Sequence, residues 1–508
     1  MKIVIVGGGT AGWMAACYVA RFNQSGNNIN DITVIESSKI PIIGAGEGST
    51  GTFTQIVNHH FKNWGINEPE FLNKTKSTLK LGIRFKDWNG VGTEFLSPIQ
   101  QSETNHHTID THLLVSHILG DYANASPSGY LMNKNLSSYI STDGRSIMGH
   151  SYHFDAHAVG KYWKEYALKN GVRVIDSEVL SLNKNTQNGE LDSVETTKGT
   201  IEGDLWIDCS GFARVLINPM GGGWKSYSEY LPTNNAMPFI QQFEPNEVPK
   251  LETLSHALSN GWMWKIPTQE RYGCGYVYSD MFTTEEKALA ELRKSLGKDV
   301  EPIRNIKFDC GRLENIWVKN VVAVGLSAGF VEPLEATSIH TTIVQLDYLS
   351  TISLNFATTK ENVNFETNIN QHNTFLNKLF DDIKDLIQLH YMSDREDTEF
   401  WKYCKYDLKR TDKVKHILDV AKHRCPSTLN FDFYRGAGNW GVWCWTMMGM
   451  GHITKEVSQH TLDSYGYTPK SIKDEFDSVN RKNMLNGIKV MKNTEFFDAL
   501  TKGKISKK

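Results

Sequence analysis

Three glycines near the start of the chain have the spacing of a phosphate-binding turn. Gly7, Gly9 and Gly12 follow the apolar run KIVIV and open a segment with helical periodicity. The first glycine allows a tight turn, the second lets a pyrophosphate approach the backbone, and the third lets helix and strand pack closely. The free N–H groups of the helix start, at Thr10 and Ala11, would then face the phosphates. The pattern predicts a dinucleotide site.

A carboxylate and two later glycine segments refine this prediction. Glu36 ends the second apolar run, where its charge suits a ribose diol and would repel a ribose phosphate, so an NADP site is disfavoured. Residues 208–211 (DCSG) and 325–329 (GLSAG) also follow apolar runs, and such small residues let a cofactor lie against the backbone. We therefore favour FAD over NAD, with Gly325 and Leu326 as contacts, although each segment alone also fits an ordinary turn.

The periodicity around these residues predicts an α/β fold. Residues 2–6, 10–22 and 32–36 form a strand–helix–strand unit of the length that a parallel sheet needs. Residues 77–88 alternate as one strand, with Lys80 on its polar face. Residues 89–150 look like loops and short insertions. Further on, we expect a helix at 155–170, a strand at 172–175, a hairpin at 196–208 that ends in an apolar strand, a buried strand at 321–325 and a helix at 341–355.

Length and composition limit the classes of protein that fit. The 508 residues are too many for one simple core, and the pattern becomes mostly helical after about residue 358. We therefore expect modules at 1–355 and 356–508, the first with insertions near 77–150 and 225–300.

The net charge of −3 gives no footprint for nucleic acid. The sequence shows no signal peptide and no apolar stretch of membrane-spanning length. Seven scattered cysteines favour a reducing, cytoplasmic setting. The adjacent pairs His59–His60 and His106–His107 make poor joint metal ligands, so no metal is expected.

Three segments together resemble the flavin-dependent tryptophan halogenase family. They are GGGTAGW at residues 7–13, GWMWKIP at 261–267 and PLEAT at 333–337. The second matches the family's W-x-W-x-I-P signature and is the specific one, since the glycine fingerprint occurs in many flavoproteins. The resemblance covers most of residues 1–355 and is thinner beyond them.

The resemblance implies a fold and a chemistry. The fold is a flavin-monooxygenase-like FAD module, with a Rossmann-type parallel sheet and a second substrate-side sheet, and a mostly helical module that closes over the substrate. Reduced FAD from a separate flavin reductase, oxygen and a halide would yield hypohalous acid, which travels through an internal tunnel to a lysine beside an aromatic substrate. Self-association is left open. The further residues that the resemblance assigns to the flavin side are Trp13, Gly46, Trp262, Trp264, Ile266 and Pro267.

Two residues match the family's catalytic positions. Lys80, in STLKLGIRF, matches the lysine that holds the halogen; its ammonium can polarise hypohalous acid, and its neutral amine can form a haloamine. By itself, a lysine on a polar strand face is ordinarily a solvated charge. Glu335 matches the glutamate that stabilises the cationic ring intermediate and accepts its proton. By itself, it also fits a capping residue in the first turn of a helix.

The resemblance places the halide at the backbone N–H groups of Thr337 and Ser338, a natural position for an anion cradle. The family usually has Ser-Thr-Gly after the glutamate, whereas this chain has Ala336 followed by Thr337 and Ser338. The missing glycine leaves the preferred halide open among chloride, bromide and iodide.

The substrate is left open by two further departures. Tryptophan-specific members carry His-Pro-Phe soon after the lysine strand, where this chain has FLSP at residues 95–98. The aromatic segment at 431–445 fits a substrate cage and fits core packing equally well. An indole, a phenol or another electron-rich ring is expected. The alternatives are a flavin aromatic hydroxylase, which would leave WMWKIP unexplained, and a non-catalytic or NAD-binding module.

Overall fold

The computed structural model describes residues 1–505 apart from 25, 27–28, 30, 41–43, 45, 101–108, 143, 147–148, 355–364, 432–439 and 484–487. The strands, in chain order, are β1 (Lys2–Val6), β2 (Asp31–Glu36), β3 (Glu47–Gly48), β4 (Thr78–Lys80), β5 (Gly82–Lys86), β6 (Glu94–Pro98), β7 (Leu136–Ile140), β8 (Ser151–Phe154), β9 (Arg173–Asp176), β10 (Val179–Lys184), β11 (Leu191–Thr196), β12 (Gly199–Glu202), β13 (Leu205–Asp208), β14 (Lys225–Ser226), β15 (Asn235–Gln242), β16 (Thr253–Ala257), β17 (Gly261–Pro267), β18 (Arg271–Tyr278), β19 (Ile306–Lys307), β20 (Gly311–Arg312), β21 (Trp317–Val318), β22 (Val321–Ala323), β23 (Gly329–Phe330) and β24 (Val490–Lys492).

The α-helices of the described residues are α1 (Thr10–Gln24), α2 (Gly51–Gln55), α3 (Glu68–Thr75), α4 (Thr111–Ile118), α5 (Pro127–Lys134), α6 (Ala156–Lys169), α7 (Glu285–Leu296), α8 (Thr337–Tyr348), α9 (Phe365–Tyr391), α10 (Glu399–Tyr406), α11 (Asp412–Ala421), α12 (Trp440–Gly449), α13 (Lys455–Ser464), α14 (Pro469–Asn483) and α15 (Asn493–Thr501). Within the described residues, no helix combines the length and hydropathy that a bilayer span needs.

Two large sheets organise the molecule. The first has the order β21-β22-β13-β1-β2-β9 and is parallel except for the β21–β22 pair. The second has the order β19-β15-β18-β17-β16-β5-β6 and is antiparallel except where β16 runs parallel to β5. The predicted α/β class, with a nucleotide-type parallel sheet and a second sheet, is confirmed.

The first strand–helix–strand unit forms as its periodicity predicts. The side chains of β1 are buried from Ile3 onward, and α1 buries almost its whole surface from Thr10 to Ala20. Such complete burial requires cover on several sides, which α6 and α8 supply. Asp155, predicted inside a helix, is the N-cap of α6, since its carboxylate accepts from the N–H groups of His157 and Ala158.

The alternating segment at 77–88 is two strands, so the prediction of one strand is wrong. Thr78–Lys80 pairs with β8 in the three-stranded sheet β3-β8-β4, whereas Gly82–Lys86 joins the seven-stranded sheet. The chain changes sheets at Leu81, whose N–H donates to the Leu251 carbonyl at 2.8 Å. Both faces of β4 are therefore covered, and no side of that strand meets solvent.

Three other expectations also need correction. Residues 89–150, expected to be loops and short insertions, contain β6, β7, α4 and α5. The hairpin is β11–β12, and β13 belongs instead to the parallel sheet. The helix expected from 341 begins four residues earlier, at Thr337, and is followed by a π-helical turn at Leu349–Ser353. The boundary proposed near residue 355 lies at the edge of the undescribed residues 355–364 and stays a prediction.

Candidate active site

The glycine turn between β1 and α1 has the shape of a phosphate cradle. Gly7 has φ +120°, and a Cβ there would lie 2.2 Å from the Cys209 carbonyl oxygen. A Cβ on Gly12 would lie 1.9 Å from the Gly7 carbonyl oxygen, whereas one on Gly9 would meet nothing within 4 Å. The first and third glycines are therefore required by the fold. The second faces open space, as a pyrophosphate-binding turn needs.

Glu36 is held at the end of β2 beside this turn. Its carboxylate pairs with Lys164 of α6 and accepts a hydrogen bond from Trp13 Nε1 at 3.3 Å. Trp13 is 1% exposed, and Lys164 lies over its ring. Trp13 therefore orients the carboxylate from inside the fold.

The two later glycine segments meet beside the same turn. Asp208 accepts from the N–H of Ser210 and from the hydroxyl of Ser327, which joins residues 208–211 to residues 325–329. Gly325 has φ +69°, and a Cβ there would lie 2.8 Å from Ala11 Cβ. The predicted FAD-contacting segments are therefore adjacent, and their small residues leave backbone along the wall of the cradle.

Lys80 is buried at the end of β4, where the chain passes from the three-stranded sheet to the seven-stranded sheet. Its side chain is 0% exposed, and its Nζ has no hydrogen-bond partner among the described residues. Burial lowers the pKa of Lys80 from 10.5 to about 8, and the negative charge of Glu335 opposes that shift. The expectation for an ordinary strand lysine, a solvated charge, is wrong here.

The surroundings of Lys80 bring together four segments that are far apart in the sequence. A Cβ built on Gly48 would lie 3.3 Å from Lys80 Nζ, 3.4 Å from Ala336 Cβ and 3.5 Å from Thr253 Oγ1. His153 Nε2 lies 2.8 Å from Thr253 Oγ1, and burial lowers the pKa of His153 well below its usual range, with the Lys80 charge acting in the same direction. The lysine therefore sits against the loop that carries Glu335.

Glu335 lies just before α8, outside the helix. Ala336 is the N-cap residue, with φ +56°, and no side chain caps this helix, so the capping interpretation of Glu335 is wrong. The Glu335 carboxylate instead receives the Ser97 hydroxyl at Oε2, at 3.3 Å, and lies 3.0 Å from His390 Nε2 through Oε1. Sequence patterns do not identify His390, because it is one of two histidines in a helix of 27 residues and has no spacing signal of its own.

The predicted halide residues begin α8. Thr337 and Ser338 occupy its first two positions, where backbone N–H groups have no partner within the helix. Thr337 is 1% exposed, and its Oγ1 is buried without a hydrogen-bond partner among the residues described. An uncapped helix start with a free hydroxyl is suited to a small anion.

The W-x-W-x-I-P residues form β17. This strand contacts the loop that carries Glu335 at one end, and the surroundings of Gly46, a predicted flavin contact, at the other. Trp262 donates from Nε1 to Glu332 Oε2 at 2.8 Å, three residues before Glu335.

Trp264 lies over Gly275, and Ile266 pairs with Gly273. Gly273 contacts Gly46, where φ is +128° and a Cβ would lie 3.0 Å from Gly273 Cα. Pro267 ends the strand and accepts from Thr78 beside Lys80.

Other predicted features lie apart from this site. Among the described residues, no three His, Cys, Asp or Glu side chains converge as a metal site would need. His60 lies 2.6 Å from Arg21 and packs on Tyr18, away from Lys80, and His106 and His107 lie outside the described residues. Of the aromatic segment 431–445, residues 432–439 also lie outside them. Trp443 and Trp445 are fully buried in the core.

Comparison with known proteins gives the same picture from sequence. The family model for tryptophan halogenase matches residues 2–464. The tryptophan 7-halogenase RebH of Lentzea aerocolonigenes is 33% identical over 454 residues, which cover 83% of this chain and 82% of that protein. The 7-chloro-L-tryptophan 6-halogenase KtzR of Kutzneria sp. (strain 744) is 31% identical over 497 residues, covering 90% of this chain and 92% of that protein.

Solved structures of flavin-dependent halogenases have the same fold as this chain. Tar14, a tryptophan C-6 flavin-dependent halogenase from taromycin biosynthesis, superposes with a TM-score of 0.87 at 27% identity, over 98% of this chain and 99% of that one. BrvH, a flavin-dependent halogenase from Brevundimonas sp. BAL3, gives a TM-score of 0.81 at 27% identity, with the same coverage.

The fold, the nucleotide cradle and these matches define a flavin-dependent halogenase, an enzyme that uses FAD and a halide on an aromatic small molecule. Within that class, the chain belongs to the tryptophan halogenase family. The interpretation as a halogenase is confirmed over the alternatives of an aromatic hydroxylase and an NAD-binding module. The roles of individual residues, the substrate and the halide stay predictions.

Proposed function

We propose that the enzyme halogenates an electron-rich aromatic ring by electrophilic substitution, with Lys80 presenting the halogen and Glu335 accepting the ring proton. The observation that carries this proposal is the buried Nζ of Lys80, which has no hydrogen-bond partner in the described part of the chain and lies against the glutamate loop. A lysine without a salt bridge in such a position costs stability, and such costs are concentrated at functional sites.

Bound reduced FAD would supply two electrons that activate oxygen, and oxygen is the oxidant: reduced FAD, oxygen, a halide ion, one proton and the aromatic compound give FAD, the aryl halide and two waters. Gly7, Gly9, Gly12 and Glu36 would hold it. The backbone of Thr337 and Ser338 would hold the halide, and hypohalous acid would pass to Lys80 inside the protein.

At Lys80 the halogen either stays on hypohalous acid, hydrogen-bonded to the ammonium, or is transferred to the amine with release of water. The ring's electron pair then forms the carbon–halogen bond. The proton leaves that carbon for Glu335, and its bonding pair restores the aromatic ring. The lowered pKa of Lys80, about 8, makes the ammonium and the amine both accessible near neutral pH.

The substrate class follows from the chemistry and from the relatives. RebH and KtzR are named for tryptophan and chlorotryptophan, and electrophilic halogenation favours any electron-rich ring. We propose an indole or a phenol, with free tryptophan as one member of the test panel. A separate flavin reductase is proposed as a transient partner. Because all seven cysteines are free, we also propose a reducing, cytoplasmic setting.

The test is a matrix of substrates and halides. The enzyme, FAD, a flavin reductase and NADH are incubated in air with tryptophan, indole and phenol, each with chloride, bromide or iodide, and the products are identified by mass spectrometry. We expect halide-dependent aryl halides. Products that carry only added oxygen, formed equally without halide, would replace the proposal with hydroxylation.

The role of Glu335 is tested separately. Glu335→Gln keeps the side-chain volume and removes the proton acceptor, so turnover should fall by about a hundredfold or more, the lower range for losing a general base, while the thermal midpoint changes little. Glu70→Gln, at a half-buried glutamate of α3 that pairs with Lys74 and accepts from the Tyr166 hydroxyl, is the matched control. An unchanged rate in Glu335→Gln would remove this residue from the mechanism.

A further inference from the structure

His390 is buried with an acceptor facing each of its ring nitrogens. It lies near the end of α9 and is 0% exposed. Its Nδ1 lies 3.0 Å from the Leu386 carbonyl oxygen, and its Nε2 lies 3.0 Å from Glu335 Oε1. A carbonyl oxygen only accepts hydrogen bonds, so the hydrogen at Nδ1 must belong to the imidazole.

This arrangement determines how many protons the pair holds. A neutral imidazole has one N–H, and here that N–H is directed to Leu386. If Glu335 were a carboxylate facing neutral His390, two lone pairs would oppose each other at 3.0 Å in a buried site. One additional proton between Nε2 and Oε1 removes the conflict. Glu335 Oε2 already receives the Ser97 hydroxyl, so the carboxylate is the acceptor of the pair, and the proton belongs on His390.

We propose that His390 is a positioning residue of the active site and is held as an imidazolium. Its N–H aligns the Glu335 carboxylate, and its charge neutralises that carboxylate. His390 thereby sets how strongly the charge of Glu335 stabilises the ammonium of Lys80. This inference rests on the proposed function of Glu335 and Lys80. The ring of His390 is fixed by Phe85 and Trp88, at centroid distances of 4.9 and 5.9 Å, so the hydrogen bond keeps one direction.

A charge on His390 changes the pH at which the ammonium of Lys80 loses its proton. The charge of Glu335 raises the pKa of Lys80 against the effect of burial. A cation on His390 offsets that charge, so the amine of Lys80 becomes accessible at lower pH. Without the cation, an uncompensated Glu335 would stabilise the ammonium and move the loss of the Lys80 proton to higher pH.

Two other groups that face this cluster make hydrogen bonds outside the His390–Glu335 pair, and Glu332 Oε1 is buried with no hydrogen-bond partner among the described residues. His153 packs on the Lys80 side and bonds to Thr253. Glu332 faces His390 from the loop before α8, and its Oε2 receives hydrogen bonds from Thr233, Trp262 and Tyr391. The N–H that His390 donates to Glu335 is therefore distinct from these interactions.

The first test observes the proton directly and needs no turnover. Ring-¹⁵N-histidine NMR of the FAD-loaded enzyme should show, among the histidine signals, a His390 imidazole with both nitrogens protonated near neutral pH. His390→Gln should remove that signal, and Glu335→Gln should convert it to a ring with one N–H. A His390 signal with a single N–H in the wild-type enzyme would overturn the proposal, whether or not the enzyme halogenates any compound tested.

The second test measures the pH profile of single-turnover halogenation. His390→Gln can still donate an N–H to Glu335 but carries no charge, so the alkaline transition should move upward by about one pH unit, the lower range for one nearby charge. His372→Gln is the matched control, because His372 is a buried histidine of the same helix bonded to Ser353, not to a carboxylate. Equal shifts in both variants, or no shift in His390→Gln, would overturn the positioning role. Absence of halogenation in the wild type would count against the proposed function alone.

Discussion

Lys80→Met should stabilise the folded protein at neutral pH. The ammonium of Lys80 is buried away from water, with no hydrogen-bond partner among the residues that the structure describes, and burial lowers its pKa from 10.5 to about 8. A shift of that size corresponds to about 3 kcal/mol at about 1.4 kcal/mol per pH unit. Methionine has a similar length and no charge, so it avoids this cost.

The effect on the thermal midpoint and its pH dependence follow from the same shift. Unfolding entropy of about 2.1 cal/mol/K per residue gives about 1 kcal/mol/K for the whole chain, so Lys80→Met should raise the midpoint by about 3 °C at pH 7. Between pH 8 and 10.5 the unfolded lysine keeps a proton that the native one has lost, so the wild type gains stability as the pH rises. The difference should fall below about 1 kcal/mol near pH 10.

Differential scanning fluorimetry of the two proteins from pH 7 to 10 measures both quantities. Lys287→Met, an exposed lysine of α7, is the control and should leave the midpoint unchanged. A midpoint for Lys80→Met equal to or below that of the wild type at pH 7, with no pH dependence of the difference, would refute the reasoning.

Two further predictions concern glycines. Gly9→Val should lower FAD affinity in a fluorescence titration and leave the ligand-free thermal midpoint intact, whereas Gly12→Val should lower the midpoint, because its Cβ would lie 1.9 Å from a backbone carbonyl oxygen. Equal midpoints in the two variants would contradict the cradle geometry. Gly48→Ala should slow halogenation several-fold without weakening FAD binding, because the added methyl would crowd Lys80 Nζ at 3.3 Å. A normal rate would mean that Lys80 works from another position.

Local patterns predict the nucleotide half of the site well. The turn at Gly7–Gly12 depends on residues adjacent in the sequence, and steric limits on glycine act over the same short range. The same holds for Glu36, which simply ends an apolar strand. The structure places these residues together, as the motif implies.

The catalytic half depends on contacts between distant segments, which periodicity does not encode. The regular alternation at 77–88 predicts one continuous strand, so it does not indicate that the chain changes sheets at Leu81 or that Lys80 is buried. The sequence pattern also fits Glu335 as a helix cap. In the structure, however, Ala336 adopts a left-handed conformation between Glu335 and α8. His390 becomes visible only when α9 packs beside the glutamate loop.

The central claim is that the oxidant forms at the flavin and is used at Lys80. The most direct measurement supplies wild type and Lys80→Ala with reduced FAD, oxygen, bromide and indole, and quantifies both bromoindole and hypohalous acid captured by a diketone trap. Lys80→Ala should bind FAD normally and release trappable oxidant while forming no bromoindole above the level that free hypobromous acid gives in solution. Bromoindole formation at the wild-type rate and with the wild-type regiochemistry in Lys80→Ala would contradict the account.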